Sequence, residues 1–184
     1  MNHVVKSAKE ASDKELHAEI RRGNYGVVII GRNPQHPWRE RLLFQERGKV
    51  IALLGPGERP NHILVPIDLS ESTLLVLAFL RQLYIGRAAF KLDFIHVLTG
   101  PEKSVEHRWK ELKRIIELNE NLELQCIPKD REVSDIILER VKAGAYGTIV
   151  MGKRGHSGIK RWLLGSVSRG VLRGLTEQSL FLVD

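Results

Sequence analysis

The most informative part of the sequence is residues 151–166, which read MGKRGHSGIKRWLLGS and follow a short apolar run. Two residues separate Gly152 from Gly155, nine separate Gly155 from Gly165, and Ser166 follows. Glycine lets the backbone approach a phosphate closely, and N–H groups at a helix start favour negative charge. The structural alternative is a tight turn with a third glycine that allows close packing. The spacing, the serine and the flanking basic residues together favour an anion-binding loop.

Short apolar runs alternate with amphipathic segments of helical length from residue 61 onward. The predicted strands are residues 63–65, 92–97, 122–127, 148–151 and 180–183, and the predicted helices are residues 70–84, 101–119, 133–143 and 159–173. This alternation is typical of βαβ units around a parallel sheet. We therefore expect an α/β fold with an open, doubly wound, parallel five-stranded sheet of the Rossmann-like, nucleotide-binding type. Ligands of such sheets bind beyond the carboxyl ends of the strands, which is where residues 151–166 begin.

Two other strand ends carry candidate site residues. Asp68 follows the first strand, where a carboxylate can accept hydrogen bonds from a ribose or an adenine edge or contribute to a magnesium site. The structural alternative is that Asp68 or Ser70 caps the next helix. His96 ends the second strand, but a lone histidine near a core is more often structural, so we assign it no chemistry.

The first 60 residues contain a partial copy of the end of this domain. A shift of 121 residues places residues 23–32, GNYGVVIIGR, over residues 144–153, GAYGTIVMGK, and Val50-Ile51 over Val171-Leu172. The shared Gly-x-Tyr-Gly argues against a chance match between two strand-and-helix units. We therefore divide the chain into a degenerate half-domain, residues 1–58, and a complete domain, residues 61–184. The Gly- and Pro-rich residues 55–60 form the predicted linker.

Composition limits the class of protein. The chain has 184 residues, one cysteine and a formal net charge of +7. One cysteine excludes an intramolecular disulfide and a thiolate metal cluster. The longest apolar run, residues 74–80, is too short to cross a membrane as a helix, and the N-terminus lacks the apolar stretch of a secretion signal. We expect a cytoplasmic protein without membrane insertion.

The basic charge is concentrated near the glycine-rich loop. Six basic residues occur in one stretch with no acidic residue among them: Lys153, Arg154, Lys160, Arg161, Arg169 and Arg173. Such a stretch should attract an anion, either a phosphate-bearing ligand or nucleic acid, and its structural alternative is a solvated helix face. These residues surround a phosphate-type motif and do not alternate with aromatic residues as a nucleic-acid stacking platform requires. Nucleic acid is therefore the disfavoured partner.

Taken together, these residues resemble the universal stress protein family. The resemblance runs from about residue 61 to residue 184 and depends on residues 62–72, HILVPIDLSES, and on the Gly-x2-Gly-x9-Gly-Ser pattern. It implies that the chain binds ATP, or AMP or ADP in its place, with Mg²⁺ arriving with the nucleotide. It implies base-side contacts near Pro66, Asp68, Val97 and Met151, and phosphate or ribose contacts at Gly152, Gly155, Gly165, Ser166, Val167 and Ser168. Two positions depart from the family pattern. Lys153 stands where the family commonly has a small hydroxyl residue, and residues 177–179, EQS, stand where the family often has a proline.

The N-terminal copy lacks the residues that would hold a nucleotide. Gly31 is retained, but Pro34, Phe44 and Gln45 stand where the complete domain has Gly155, Gly165 and Ser166. Proline removes a backbone donor, and phenylalanine fills the volume of a phosphate. In the family, the last strands of two domains commonly pair across a dimer interface, so the resemblance implies a homodimer or an intramolecular pseudo-dimer. We predict that residues 49–54 pair with residues 180–183 inside one chain and cover an exposed sheet edge.

Three functions remain open. The leading hypothesis is an ATP-binding regulatory or stress-response protein whose nucleotide state alters its association with partners. A slow ATP hydrolase is the enzymatic alternative, although no residue stands out as a water-orienting base and no Gly-x4-Gly-Lys-Ser/Thr loop is present. We assign no catalytic residue. The third is a protein-interaction module without nucleotide that regulates a transporter or another partner, because stress protein domains also occur beside membrane carriers.

Overall fold

The computed structural model describes residues 13–23, 25–31, 48–57, 59–84, 87–118, 122–154 and 164–184. In chain order its elements are α1 (Asp13–Arg22), β1 (Val27–Gly31), β2 (Val50–Leu54), β3 (His62–Pro66), α2 (Glu71–Leu83), β4 (Lys91–Leu98), α3 (Glu102–Ile115), β5 (Leu124–Pro128), α4 (Val133–Ala143), β6 (Thr148–Gly152), α5 (Ser166–Gly174) and β7 (Ser179–Val183). None of the helices in the described ranges is long and apolar enough to cross a membrane.

The strands form one sheet with the order β1-β2-β7-β6-β3-β4-β5. All neighbouring strands are parallel except β2 and β7. Helices cover both faces, which confirms the predicted α/β architecture. The sheet has seven strands instead of five because β1 and β2 of the N-terminal segment join the five predicted from residue 61 onward.

The middle strands are apolar throughout because both of their faces are buried. Along β3, Ile63 and Val65 belong to the core cluster that contains residues of α2 and α3, whereas Leu64 belongs to the cluster that contains residues of α1, α4 and α5. Strand β6 repeats this arrangement, with Ile149 in the second cluster and Val150 in the first. Successive side chains of a strand point to opposite faces, so an unbroken apolar run fits a strand between two helical layers.

Three predicted boundaries are wrong. The helix expected to end at residue 119 ends at Ile115. The helix expected from residue 159 begins at Ser166, because Gly165 is extended (φ −58°, ψ 152°) and its N–H donates to the carbonyl of Lys153 at 3.1 Å. Residues 159–163 lie outside the described residues. The strand expected from Leu122 begins at Leu124, because the carbonyl of Leu122 instead accepts hydrogen bonds from side chains of α3, including Trp109 Nε1 at 3.1 Å.

The predicted pairing of the N-terminal segment with the last strand is confirmed. Strand β2 runs antiparallel to β7, with Ala52 opposite Phe181 at the centre and Ile51 opposite Leu182 on one side. On the other side Leu53 lies opposite Leu180. This seam occupies the edge of β7 that β6 leaves open, so both edges of β7 are paired within one chain. A homodimer through β7 would have to displace β2.

The two strand pairs on either side of the seam have the same register. Val27 pairs with Val50 in β1–β2, and Thr148 pairs with Ser179 in β6–β7. The pairs are therefore related by an approximate twofold axis between Ala52 and Phe181, as in an isologous interface.

The sequence shift of 121 residues holds only for the first strand of each pair. It aligns β1 with β6, but β2 aligns with β7 at a shift of 129 residues. The proposed match of Val50-Ile51 with Val171-Leu172 is wrong, because the first pair lies in a strand and the second in α5. Pro34, Phe44 and Gln45 lie outside the described residues.

The repeated Gly-x-Tyr has a steric explanation. A Cβ atom on Gly144 would lie 2.1 Å from the ring of Tyr146, and a Cβ atom on Gly23 would lie 2.0 Å from the ring of Tyr25. Each tyrosine ring therefore lies over the glycine that ends the preceding helix. Only a residue without a side chain fits beneath the ring in either copy.

Candidate functional site

A cleft of about 450 Å³ lies at the carboxyl ends of β3, β4 and β6. This volume lies in the range of small-ligand pockets, roughly 300–1,000 Å³. The structure places these predicted site residues in its walls: Pro66, Asp68, Val97, Met151, Gly152, Gly165, Ser166, Val167 and Ser168. Gly155, the remaining predicted residue, lies outside the described residues. Strand ends that are distant in sequence therefore meet in one cavity.

Gly152 eases the close approach of α2 to the end of β6. A Cβ atom on Gly152 would lie 3.2 Å from the Cβ of Ser72 and 3.1 Å from the carbonyl oxygen of Arg154. The hydroxyl of Ser168 donates to the carbonyl of Gly152 at 2.9 Å. Together with the bond from Gly165 to Lys153, this contact joins the two ends of the glycine-rich loop.

Asp68 organises the turn between β3 and α2. Its Oδ1 accepts hydrogen bonds from the backbone N–H and the hydroxyl of Ser70, at 3.0 and 2.6 Å, and from the hydroxyl of Thr73 at 3.2 Å. Leu69 between them has a φ of 62°, a left-handed conformation that is costly for leucine. The carboxylate therefore lines the cleft and also holds the strained turn. The capping alternative is wrong for Ser70, which is the N-cap residue of α2 but makes no side-chain cap hydrogen bond.

His96 lies in the cleft wall, although sequence reasoning gave it no role. It is buried, and its Nδ1 lies 2.9 Å from the carbonyl oxygen of Ile67. Because a carbonyl only accepts, Nδ1 carries the hydrogen, and in the neutral ring Nε2 is then an acceptor. The bond orients the ring between the β3 and β4 ends.

Sequence reasoning also missed other lining residues: Thr99, Lys129 and Glu132. Thr99 and Lys129 directly follow β4 and β5. The rule that ligands bind beyond strand carboxyl ends would have identified these two, because it applies to every parallel strand of the sheet. Arg154 belongs to the basic stretch but was not distinguished from its neighbours.

The basic stretch does not act as a single anion-binding surface. Lys153 is buried with 3% of its side chain exposed, and its Nζ lies 3.7 Å from Asp184 Oδ2. This ion pair corrects the expectation that Lys153 attracts a ligand. Arg154 also pairs with Asp184 but lines the cleft, whereas Arg173 is exposed and does not. Lys160 and Arg161 lie outside the described residues.

A second polar cluster lies at the opposite ends of the strands. Asp93 Oδ2 accepts a hydrogen bond from the Tyr146 hydroxyl at 2.8 Å and lies 3.0 Å from His62 Nε2. Burial by itself would raise the pKa of Asp93, but the bonds from His62 and Tyr146 and the charge of Lys91 lower it on balance. Burial, followed by the bond to Asp93, raises the pKa of Tyr146 to about 12. This cluster joins β3, β4 and β6 away from the cleft.

Comparison with known proteins places this site in a family context. Residues 60–177 match the family model described as the universal stress protein family. None of the curated proteins compared with the chain matches it.

Several solved structures share the fold. A protein of unknown function from Pseudomonas aeruginosa PAO1 has a TM-score of 0.68 and 18% identity, over 95% of this chain and 68% of that one. A universal stress protein from Archaeoglobus fulgidus DSM 4304 has a TM-score of 0.64 and 17% identity, over 94% and 64%. A universal stress protein in complex with cAMP has a TM-score of 0.51 and 21% identity, over 67% and 95%. The chain thus spans about two thirds of the first two structures, and the TM-scores show a common fold.

Proposed function

The chain belongs to the universal stress protein family, and we propose that its cleft binds an adenine nucleotide as a regulatory ligand. ATP is the proposed nucleotide, with AMP or ADP as alternatives and Mg²⁺ bound with the phosphates. The observation that carries the proposal is the convergence of nine predicted contact residues on one cavity of suitable size. A universal stress protein of the same fold has been solved in complex with cAMP, which supports a nucleotide as the class of ligand.

The two sides of the cleft suit the two ends of a nucleotide. Pro66, Val97 and Met151 supply an apolar wall on which a purine can lie. On the other side, α5 begins at Ser166 with Gly165 as its N-terminal cap, so its first N–H groups have no partner within the helix. Such N–H groups and the helix dipole stabilise a phosphate. The hydroxyl of Ser166 adds a donor at the same place.

The proposed role is binding rather than turnover. Asp68 and His96 line the cleft, where Asp68 Oδ1 holds the β3–α2 turn and His96 Nδ1 bonds the carbonyl of Ile67, and we assign neither residue the activation of water. We expect at most slow hydrolysis, and we expect the bound nucleotide to alter the association of this regulatory or stress-response protein with its partners.

The test begins with chromatography of the nucleotide released on denaturation of freshly purified protein. Thermal unfolding is then followed with added Mg-ATP. Ligand at about 100 times its dissociation constant stabilises the folded state by roughly 2.7 kcal/mol. For a chain of this size that corresponds to a rise in Tm of roughly 5–10 °C.

Gly165→Phe is the variant that should block the nucleotide. The φ angle of Gly165 is negative, so phenylalanine can adopt it, and Gly165 lines the cleft, so the new ring would occupy ligand space. Gly26→Phe is the control, since a Cβ atom there has no neighbour within 4 Å. We expect the ATP-dependent rise in Tm to disappear only in Gly165→Phe. Absence of any released nucleotide, together with no rise in Tm in the wild type, would contradict the proposed function.

A further inference from the structure

Building on the proposed nucleotide function, we propose that Arg154 is the side chain that recognises the ligand's phosphates and that Asp184 is its positioning residue. The pair would let the cleft discriminate a phosphate-bearing nucleotide from a nucleoside. Arg154 occupies a variable position of the Gly-x2-Gly-x9-Gly-Ser pattern, and Asp184 lies outside it.

Arg154 is placed on the phosphate side of the cleft. It lies two residues after Gly152, and its backbone neighbour Lys153 accepts the hydrogen bond from Gly165 that joins the loop to the start of α5. The side chain of Arg154 is 38% exposed and lines the cavity, so a ligand can reach it. Lys129 also lines the cavity but follows β5, three strands from β6 in the sheet. At about 4.8 Å per strand, Lys129 is roughly 14 Å from the end of β6 across the sheet.

The cluster of Lys153, Arg154 and Asp184 has a net charge of one positive unit, which Arg154 presents to the cleft. The Asp184 carboxylate is 4% exposed and faces Lys153 Nζ at 3.7 Å and the guanidinium of Arg154. One carboxylate thus faces two cations, and Lys153 is buried where no ligand in the cleft can use it. Arginine has five N–H donors in a planar fork, so a bond through Nη2 to Asp184 leaves further donors for phosphate oxygens.

Asp184 is itself fixed from two directions. The carbonyl of Val183, at the end of β7, accepts the backbone N–H of Lys153 at 2.8 Å. The backbone N–H of Gly48, just before β2, donates to Asp184 Oδ2 at 3.3 Å. The N-terminal segment therefore helps to hold the carboxylate that orients Arg154. Pre-organising a charged fork in this way lowers the entropic cost of binding a ligand.

The first experiment measures the dissociation constants of adenosine, AMP and Mg-ATP for the full chain by calorimetry. Arg154→Gln should weaken Mg-ATP binding by roughly tenfold or more, because a charge-assisted hydrogen bond to phosphate is lost. Adenosine binding should change by less than about twofold, since adenosine has no phosphate for this bond. Arg173→Gln removes the same charge from an exposed position outside the cleft and should leave both constants unchanged.

The second experiment separates the position of Arg154 from its charge. The double variant Lys153→Met with Asp184→Ala removes one positive and one negative charge, so the net charge and Arg154 itself are retained. We expect Mg-ATP binding to weaken by roughly three- to tenfold in this variant because the fork is no longer held. Circular dichroism and thermal unfolding check that the double variant folds. Wild-type affinity in a folded double variant would overturn the positioning role of Asp184.

The outcomes distinguish the two levels of the proposal. A wild-type chain that binds neither adenosine nor Mg-ATP would overturn the proposed function and the assignment of Arg154 with it. A wild-type chain that binds both, with an Arg154→Gln variant that keeps the wild-type ratio of the two constants, would overturn the assignment of Arg154 alone.

Discussion

Replacing Ile51 by alanine should destabilise the whole chain, although Ile51 lies outside residues 60–177, which match the family model. Ile51 is 1% exposed, lies opposite Leu182 in the β2–β7 seam and belongs to the core that also contains Leu180. Truncation of a buried isoleucine to alanine costs about 2–5 kcal/mol, because transfer energy is lost and a cavity remains. Each kcal/mol lowers the Tm of a chain of this size by roughly 2–4 °C. We therefore expect a fall in Tm of roughly 4–20 °C.

Ile29→Ala is the matched control. Ile29 lies on β1 with 63% of its surface exposed, so the same truncation removes little buried area. Exposed substitutions of this kind usually change the free energy of unfolding by less than about 0.5 kcal/mol. The difference between the two variants therefore isolates the contribution of the seam from that of strand propensity.

Trp109 provides a signal remote from the seam. It is buried in α3, with its ring centroid 5.4 Å from that of Phe94 in β4. Strand β4 is separated from β2 by three other strands of the sheet. Replacing Trp38 and Trp162 by phenylalanine leaves Trp109 as the one tryptophan in the sequence. If the seam is part of one cooperative unit, Ile51→Ala should shift the transition seen by Trp109 fluorescence and by circular dichroism together. A midpoint no lower than that of Ile29→Ala, or separate transitions for the two signals, would refute this reasoning.

The other predictions concern the cluster at the opposite ends of the strands and the repeated glycine. The pKa of Tyr146 is raised from 10.0 to about 12, so its stabilising contribution is present below pH 10 and is lost as the pH rises through the folded value. Tyr146→Phe should therefore abolish part of the alkaline loss of stability, measured by urea unfolding, and an unchanged alkaline profile would count against it. The lowered pKa of Asp93 has the opposite sign: its contribution is present above the unfolded pKa, 3.8, and is lost as the pH falls through the folded value, so Asp93→Asn should flatten the acid limb of the same profile. Gly144→Ala should cost about 1–3 kcal/mol of stability, because its Cβ would overlap the Tyr146 ring, whereas Gly26→Ala should cost little; equal urea midpoints would contradict the steric explanation.

The N-terminal segment contributes a strand that covers one edge of β7. Strand β7 would otherwise present an open edge with unpaired N–H and C=O groups, which favours aggregation or pairing with another chain. Strand β2 occupies that edge in the register of a twofold interface. The β2–β7 pairing thus covers this edge of β7 within one chain.

Much of the fold could be predicted because local patterns determine local structure. The apolar runs at β3 and β6 and the amphipathic segments at α2 and α4 depend on residues only a few positions apart, so they can be recognised in the sequence. The glycine-rich loop and the strand-end residues could be placed at one edge of the sheet for a related reason. Parallel strands all have their carboxyl ends at the same edge, and ligands of open α/β sheets bind there. Boundaries were less certain, as at Leu122, because a contact with α3 decides where β5 begins.

The partners of individual side chains were decided by tertiary structure. Lys153 and Arg154 are neighbours in a basic stretch, and nothing in that stretch indicates that one is buried against Asp184 while the other lines the cleft. The sequence around Ile51 likewise does not reveal its strand partner, Leu182, which lies 131 residues away. Sequence by itself therefore determined the family, the layered α/β architecture and the edge of the sheet at which the candidate cleft lies. The burial of a charge, and which cation remains available to a ligand, depend on contacts between distant residues that exist only after the chain has packed.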